Sequence, residues 1–241
     1  MSGIKTFIKE HASGFWLAGA IQALPIMLGY LPVGFAYGIL AQKAQISVFN
    51  TLLMSIIVFA GSSQLIAVGL ISAGVAPVSV ILTTFVVNLR HMLMSAALSP
   101  FLHRWRKRAL AGFAFQLTDE TFALHSTRLP DSVSQSKSIR GETFAINILS
   151  QSAWVLGTWL GILGGKMVAD IEPLALDYAL PAMFIALLVM HIKTKPQIAV
   201  AVLAGFFSVG LYLGGLTQWH VIIATIIGAF FGVWMESWTK K

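Results

Sequence analysis

The sequence predicts an all-α polytopic membrane protein with about seven membrane segments, the range being six to eight. Of its 241 residues, 57% are apolar and 10% are charged, whereas a soluble domain carries about a quarter charged residues. Several uncharged stretches reach the roughly 20 residues that a helix needs to cross the hydrocarbon layer. The alternating strands of about ten residues that build membrane barrels do not occur in the sequence.

The uncharged stretches divide into eight candidate segments. Breaks at 73–77 and 214–218 divide two of these stretches, and residues that include charged side chains separate the others. The segments cover 15–40, 47–73, 77–102, 109–127, 142–165, 177–192, 197–214 and 219–236. We expect residues 1–14 to form a cytoplasmic N-terminal segment and residues 15–236 to form a single transmembrane domain. Its first half would cover 15–125, a Ser-rich linker 126–142 and the second half 143–236.

The basic residues favour two segments that return to the side from which they enter. If all eight segments cross, the basic cluster at 104–108 lies outside, against the positive-inside rule. If the first and fourth segments return, nearly all of the 16 lysines and arginines become cytoplasmic. If only the fourth segment returns, fewer lysines and arginines become cytoplasmic. The first and fourth segments are therefore the candidates for discontinuous helices, and the net charge of +7 indicates membrane orientation rather than nucleic-acid binding.

Two further features bear on the continuity of the helices. Pro25 and Pro32 remove helix hydrogen bonds within the first segment; this fits either a kinked continuous helix or a broken helix whose ends face a solute. A shift of 87 residues aligns 35–36 with 122–123 and 63–64 with 150–151. This weak repeat would pair the first segment with the fourth.

Several polar residues remain inside apolar stretches. Arg90 lies in the third segment, where a central arginine costs about 2.5–3.5 kcal/mol, and Asn88 and His91 lie beside it. In the second segment, Gln64 has an amide that needs partners if it is buried. These residues could form a site or hold helices together.

Asp119 and Glu120 are an acidic pair in the apolar fourth segment. Arg90 is the nearest candidate counter-charge, so a structural ion pair is one interpretation. Neighbouring residues do not share a helix face. One acid could therefore pair with Arg90 while the other holds a substrate ammonium or a proton.

Catalytic and metal-binding interpretations have little support in the sequence. The chain has no cysteine and six histidines, and the histidines show no paired ligand spacing. Gly61-Ser62-Ser63 with His91 could be a protease dyad, but no signature turn accompanies it. We therefore expect no cofactor, no metal and no enzymatic activity.

Four ordered motifs carry a resemblance that extends over nearly the whole chain. They occupy 29–38 (GYLPVGFAYG), 59–64 (FAGSSQ), 88–91 (NLRH, continuing to Ser99-Pro100) and 118–123 (TDETFA). With them the sequence resembles the AzlC/YgaZ family, the large subunits of branched-chain amino acid exporters. The resemblance implies export of valine, leucine, isoleucine and methionine across a bacterial inner membrane. It also implies a small AzlD/YgaH-type membrane partner.

The resemblance and the polar residues together predict a secondary active exporter that works by alternating access and is coupled to protons. The expected substrate-binding residues are Pro32, Gly34, Phe35, Gln64, Asn88 and Arg90, and the expected proton-coupling residues are Asp119, Glu120 and His91. The alternative is a passive channel or pore subunit in which Arg90 selects anions.

Overall fold

A computed structural model describes residues 2–131, 137–165, 194–216 and 220–239, together with residues 178, 182, 185, 188, 189 and 192. These residues are mostly helical and include no strand, which confirms the all-α class. The helices are α1 (Ser2–Lys43), α2 (Val48–Leu53, extended by a π-helical turn, Met54–Val58), α3 (Gly61–Ser72), α4 (Pro77–Leu102), α5 (Lys107–Phe115), α6 (Asp119–Asp131), α7 (Lys137–Gly165), α8 (Lys195–Leu213) and α9 (His220–Thr239).

The chain forms two compact units, Met1–Phe184 and Ile185–Lys241. Among the described residues, four helices are long and apolar enough to cross a membrane: Gly14–Lys43, Pro77–Leu102, Ile139–Gly165 and Lys195–Leu213. Several apolar helices of this kind confirm a multi-pass membrane protein. Most of the sixth predicted segment, 177–192, lies outside the described residues.

The first unit is held together by a seam of glycines between α1 and α7. A methyl group at Gly38 would lie 2.3 Å from the carbonyl oxygen of Thr158, and one at Gly161 would lie 2.1 Å from that of Phe35. Only glycine allows two helix backbones to approach this closely. Along the seam, residue numbers rise together in both helices, from Gly19 against Ala145 to Gln42 against Gly165. The two helices therefore run parallel.

The second predicted segment is a helical hairpin. Gln64 Nε2 donates to Ser55 Oγ at 3.1 Å across nine residues, whereas a straight helix would separate these residues by about 13 Å. The chain turns at Phe59, which has a left-handed backbone with φ 44°. We call α2, the π-helical turn and α3 hairpin 1. A continuous span over 47–73 is therefore wrong.

The fourth predicted segment is a second hairpin, formed by α5 and α6. The ring centroids of Phe113 and His125 lie 5.4 Å apart, although twelve residues of straight helix would span about 18 Å. The turn at 116–118 confirms that this segment is discontinuous. We call it hairpin 2.

The two hairpins enter the first unit from opposite ends. Hairpin 1 begins and ends near the C-terminus of α1, because its Val68 packs in one cluster with Ala41. Hairpin 2 begins and ends near the C-terminus of α4, because its Phe113 and Leu129 pack with Leu102. Each hairpin is followed by one long helix, α4 or α7. Residues 48–102 and 107–165 thus have the same order of elements, a hairpin followed by a long helix, but they run in opposite directions.

The structure corrects three predictions about these segments. The first segment is continuous, since α1 passes through Pro25 and Pro32; both prolines are exposed, and the glycine seam with α7 holds the helix. The second segment, rather than the first, turns back together with the fourth. The repeat at 87 residues is wrong, because it aligns the unbroken α1 with the second helix of hairpin 2.

The predicted linker 126–142 is helical for most of its length. α6 continues to Asp131 and α7 starts at Lys137, and Arg128 binds Glu142 at 2.7 Å between the two helices. This ion pair connects the two helices that flank residues 132–136. The second unit contains α8 and α9, which pack antiparallel: Gly228 lies against Ala204, and Gly232 lies against Val200.

Candidate functional site

The tips of both hairpins meet halfway along the first unit, around a small cavity. The surrounding side chains come from α1, α4, α7 and both hairpins; they are Tyr30, Phe59, Ala60, Gly61, Ser62, Arg90, His91, Thr118, Asp119, Glu120 and Trp154. The cavity volume is about 10 Å³, which is room for about one water molecule. The site is therefore closed in this conformation.

The tip of hairpin 1 presents an uncapped helix start to the cavity. The left-handed backbone at Phe59 ends the π-helical turn, and Ala60 precedes α3 without a side-chain cap. The first backbone N–H groups of α3, at Gly61 and Ser62, therefore have no partner in the helix. Such a helix start attracts negative charge.

The tip of hairpin 2 presents a capped and acidic helix start. The Thr118 N–H donates to Thr121 Oγ1 at 2.9 Å, and the Thr121 N–H donates to Thr118 Oγ1 at 3.3 Å. This reciprocal cap fixes where α6 begins. Asp119 and Glu120 then fall in the first turn, where the helix dipole stabilises carboxylates.

Arg90 joins the two tips. Its guanidinium lies 2.9 Å from Asp119 Oδ2 on hairpin 2 and also donates to Ser62 Oγ on hairpin 1. The Arg90 and Asp119 side chains are 25% and 23% exposed, and both line the cavity. One positive charge therefore holds both hairpins from the middle of α4.

Glu120 has a different partner from its neighbour. Its Oε2 lies 2.5 Å from the Tyr30 hydroxyl, which also lies 2.7 Å from Thr118 Oγ1. The two acids thus face different sides of the tip, as expected for adjacent residues on a helix. Asp119 forms an ion pair with Arg90, whereas Glu120 is hydrogen-bonded to the phenol of Tyr30.

Aromatic rings form the apolar wall of the cavity. Trp154 is 1% exposed and makes edge-to-face contact with Tyr30 at a centroid distance of 5.5 Å. Tyr30 makes a similar contact with Phe59 at 6.2 Å. A methyl group at Gly61 would lie 2.8 Å from the Trp154 ring, so glycine lets the tip of hairpin 1 rest on this wall.

Buried polar groups behind the cavity fix hairpin 1. Gln64 is fully buried and donates to Ser55, whose hydroxyl lies 2.9 Å from Thr158 Oγ1 on α7. Ser63 donates to Asn88 Oδ1 at 2.5 Å. Neither Gln64 nor Asn88 lines the cavity; their hydrogen bonds hold hairpin 1 together and fix it to α4.

Apart from Gln64 and Asn88, the predicted site residues fall into two groups. The structure brings Arg90, His91, Asp119 and Glu120 to the cavity. It does not bring Pro32, Gly34 and Phe35 there: Pro32 is exposed, Gly34 packs against the backbone of α7, and Phe35 packs against Gly161 and Gly164. The reason is that the first helix is continuous, so these residues serve its packing.

The predicted site residues did not include Tyr30, Thr118 and Trp154, nor the residues at the tip of hairpin 1, 59–62. Thr118 carries a signal, since threonine followed by two acidic residues is a typical helix start. Tyr30 and Trp154 carry none, because an aromatic residue in an apolar helix is equally common facing lipid. Within the described residues, no group of three histidine, aspartate or glutamate side chains could hold a metal ion.

Comparisons with known proteins find a matching family model and several relatives that cover most of the chain. The sequence model of the family described as AzlC protein matches residues 25–168. The chain is 31% identical to the inner membrane protein YgaZ of Escherichia coli, over 91% of this chain and 89% of that protein. It is 26% identical to the branched-chain amino acid transport protein AzlC of Bacillus subtilis, over 82% of this chain and 76% of that protein.

A third relative is an uncharacterized membrane protein of Archaeoglobus fulgidus, 31% identical over 92% of this chain and 96% of that protein. No solved structure matches the chain significantly. The family match covers both hairpins and every residue that lines the cavity.

Proposed function

The chain belongs to the AzlC family, and on that premise we propose that it is a secondary active transporter that exports branched-chain amino acids. It is a multi-pass protein of the inner (plasma) membrane. The name of the Bacillus subtilis relative supplies the substrate class. The observation that carries the proposal is the Arg90–Asp119 ion pair, placed where the two hairpin tips meet beside an aromatic wall.

An amino acid zwitterion has the charges needed to replace this ion pair. Its carboxylate would bind Arg90 and the uncapped start of α3, where backbone N–H groups and the helix dipole favour anions. Its ammonium would bind Asp119, which Arg90 then no longer neutralises. The exchange keeps both Arg90 and Asp119 paired, so the ion pair of the empty site becomes two ion pairs with the substrate.

The aromatic wall suits a small apolar side chain. Phe59, Tyr30 and Trp154 surround the space next to Arg90. One methylene contributes only about 1–3 kcal/mol in such a pocket, so we expect valine, leucine, isoleucine and methionine all to be accepted.

The closed cavity favours a carrier over the alternative of a passive pore. Room for about one water molecule cannot hold an amino acid, so the hairpin tips must move apart to admit one. Because the hairpins enter from opposite ends, withdrawing hairpin 1 would open the site towards one side and withdrawing hairpin 2 towards the other. This arrangement supports the proposal of alternating access.

Counterflow in proteoliposomes tests the proposal. A carrier exchanges external labelled valine for internal unlabelled valine without a pH gradient, whereas a pore does not concentrate the label. Arg90→Gln and Asp119→Asn should each lower counterflow about tenfold or more, the loss expected for a charge-assisted hydrogen bond. Ser152→Ala, an exposed change on α7, is the control. Wild-type chain without valine counterflow, alone and with a partner subunit, would refute the transporter.

The family resemblance also indicates a partner. We infer that a small AzlD/YgaH-type membrane subunit is needed for full activity. Valine efflux from vesicles with and without that subunit measures this. Equal efflux in both preparations contradicts the two-subunit arrangement.

A further inference from the structure

We propose that Glu120 is the carboxylate that carries the coupling proton and that Tyr30 is its positioning residue, while Asp119 serves the substrate. This inference rests on the proposed function and assigns its proton coupling to one of two adjacent acids. Three observations support it: the unequal partners of the two acids, a reversible hydrogen-bond chain, and the position of Glu120 at a hairpin tip.

The two adjacent acids differ in their access to positive charge. Asp119 is paired with Arg90 at 2.9 Å. Among the described side chains, no lysine or arginine lies within ion-pairing distance of Glu120. A partly buried carboxylate without a cation is the one that a proton neutralises, since a paired carboxylate would leave its partner charged and alone.

Tyr30 can serve both protonation states of Glu120 without moving. A phenol has a single proton, so its hydroxyl donates to only one of its two neighbours at a time, Glu120 at 2.5 Å or Thr118 at 2.7 Å. When Glu120 is charged, Thr118 donates to Tyr30 and Tyr30 donates to Glu120. When Glu120 is protonated, it donates to Tyr30 and Tyr30 donates to Thr118. The direction of these hydrogen bonds therefore reverses when the hydroxyl groups rotate, without any movement of the heavier atoms.

The other charged and titratable groups around Glu120 have separate roles. From α4, Arg90 is held by Asp119 and Ser62, and His91 places its Nδ1 3.1 Å from the Asn88 carbonyl oxygen of its own helix. α3 and α7 contribute Ser62 and Trp154 to the cavity, and neither titrates. The N-terminus of α6 stabilises the charged carboxylate, so both forms of Glu120 are accessible.

The position of Glu120 would also let it face each side of the membrane in turn. It is the second residue of α6, at the tip of hairpin 2, and would move with that hairpin. In one cycle a zwitterion without net charge leaves the cell. One proton then binds Glu120 from outside and is released inside, with an O–H bond formed and then broken. One proton enters per amino acid exported.

The test compares two assays on the full-length chain in proteoliposomes, with the small subunit included if valine counterflow requires it. Valine counterflow needs no proton movement, whereas accumulation driven by a pH gradient does. With the membrane potential held at zero, a gradient of about one pH unit should concentrate valine about tenfold with wild-type chain, since one unit of pH is a factor of ten in proton activity. We expect Glu120→Gln to keep counterflow and lose accumulation, and Asp119→Asn to lose both.

Two results would overturn the assignment. One is gradient-driven accumulation that survives in Glu120→Gln; the other is a Glu120→Gln chain with an unchanged melting temperature that loses counterflow too, which would make Glu120 a substrate ligand. Wild-type chain with no counterflow would instead refute the transporter itself, so the two failures are distinguishable.

Tyr30→Phe provides an independent readout should Glu120→Gln fail to fold. Loss of the phenol removes a hydrogen bond from both forms of Glu120, and the charge-assisted bond to the carboxylate is the stronger one, so the midpoint of the pH profile of accumulation should move to higher pH. Tyr37→Phe, a buried phenol on the same helix that does not line the cavity, should leave the midpoint in place. An unchanged midpoint in Tyr30→Phe would overturn the positioning role.

Discussion

Asp119, the first residue of α6, lies 2.9 Å from the guanidinium of Arg90, midway along α4. The pair connects the tip of a hairpin to a long helix, and the same guanidinium binds Ser62 on the other hairpin. Because these contacts cross the centre of the first unit, they contribute to its stability as well as to the candidate site.

The stability of this ion pair can be measured with a double-mutant cycle. Arg90→Gln and Asp119→Asn should each destabilise the protein by roughly 1–3 kcal/mol, between the values for exposed and buried pairs. The double variant should lose less than the sum, because neither charge is then left alone. Melting temperatures in detergent report the effect. Additive losses would show that the two residues do not interact.

The hairpins predict an unusual membrane topology, which cysteine labelling can test because the chain has no native cysteine. Lys43→Cys and Ala73→Cys flank hairpin 1 and should react with an impermeant maleimide from the same side. Arg106→Cys and Thr127→Cys flank hairpin 2 and should react from the opposite side.

The basic residues predict from which side of the membrane each hairpin enters. Basic residues cluster at the end where hairpin 2 enters, among them Arg104, Arg106, Lys107, Arg108, Arg128 and Arg140, so this end should be cytoplasmic. Labelling of positions 43 and 73 from opposite sides would mean that the second segment crosses the membrane, and hairpin 1 would be wrong.

The glycine seam predicts a strong effect of very small substitutions. Gly38→Ala places a methyl group 2.3 Å from a backbone oxygen of α7 and should cost about 1–3 kcal/mol, as overpacked cores do. Gly29→Ala on the same helix has no atom within 4 Å and should be neutral or stabilising by up to about 1 kcal/mol. Thermal unfolding in detergent compares them, and equal melting temperatures would contradict the seam.

The hydrogen bond inside hairpin 1 predicts a loss of stability that depends on burial. Ser55→Ala removes the hydroxyl that accepts from the fully buried Gln64, leaving a buried donor unpaired at a cost of about 1–3 kcal/mol. Ser152→Ala removes a hydroxyl that bonds only to its own helix on an exposed face and should change stability by less than about 0.5 kcal/mol. Similar losses in both variants would argue against a folded-back hairpin.

Much of the site could be predicted from the sequence, because charge in an apolar segment has few explanations. Arg90, Asp119 and Glu120 stand out in segments that must lie in hydrocarbon, and the rule that adjacent helix residues face different ways already separates the two acids. Tyr30 could not be found in this way, since its role depends on a hydroxyl 2.5 Å from Glu120, a distance that connects residues far apart in the chain.

The sequence by itself determined that this is a helical membrane protein with charges buried in its centre, because hydropathy and charge act locally and are visible in composition and spacing. Only the tertiary structure decided which segments are continuous helices and which fold back. Prolines can kink or break a helix, and packing selects the outcome: the seam with α7 keeps α1 continuous, while Phe59 turns the apolar second segment back on itself. Local pattern cannot choose between these outcomes, because the free energy that distinguishes them comes from contacts between distant helices.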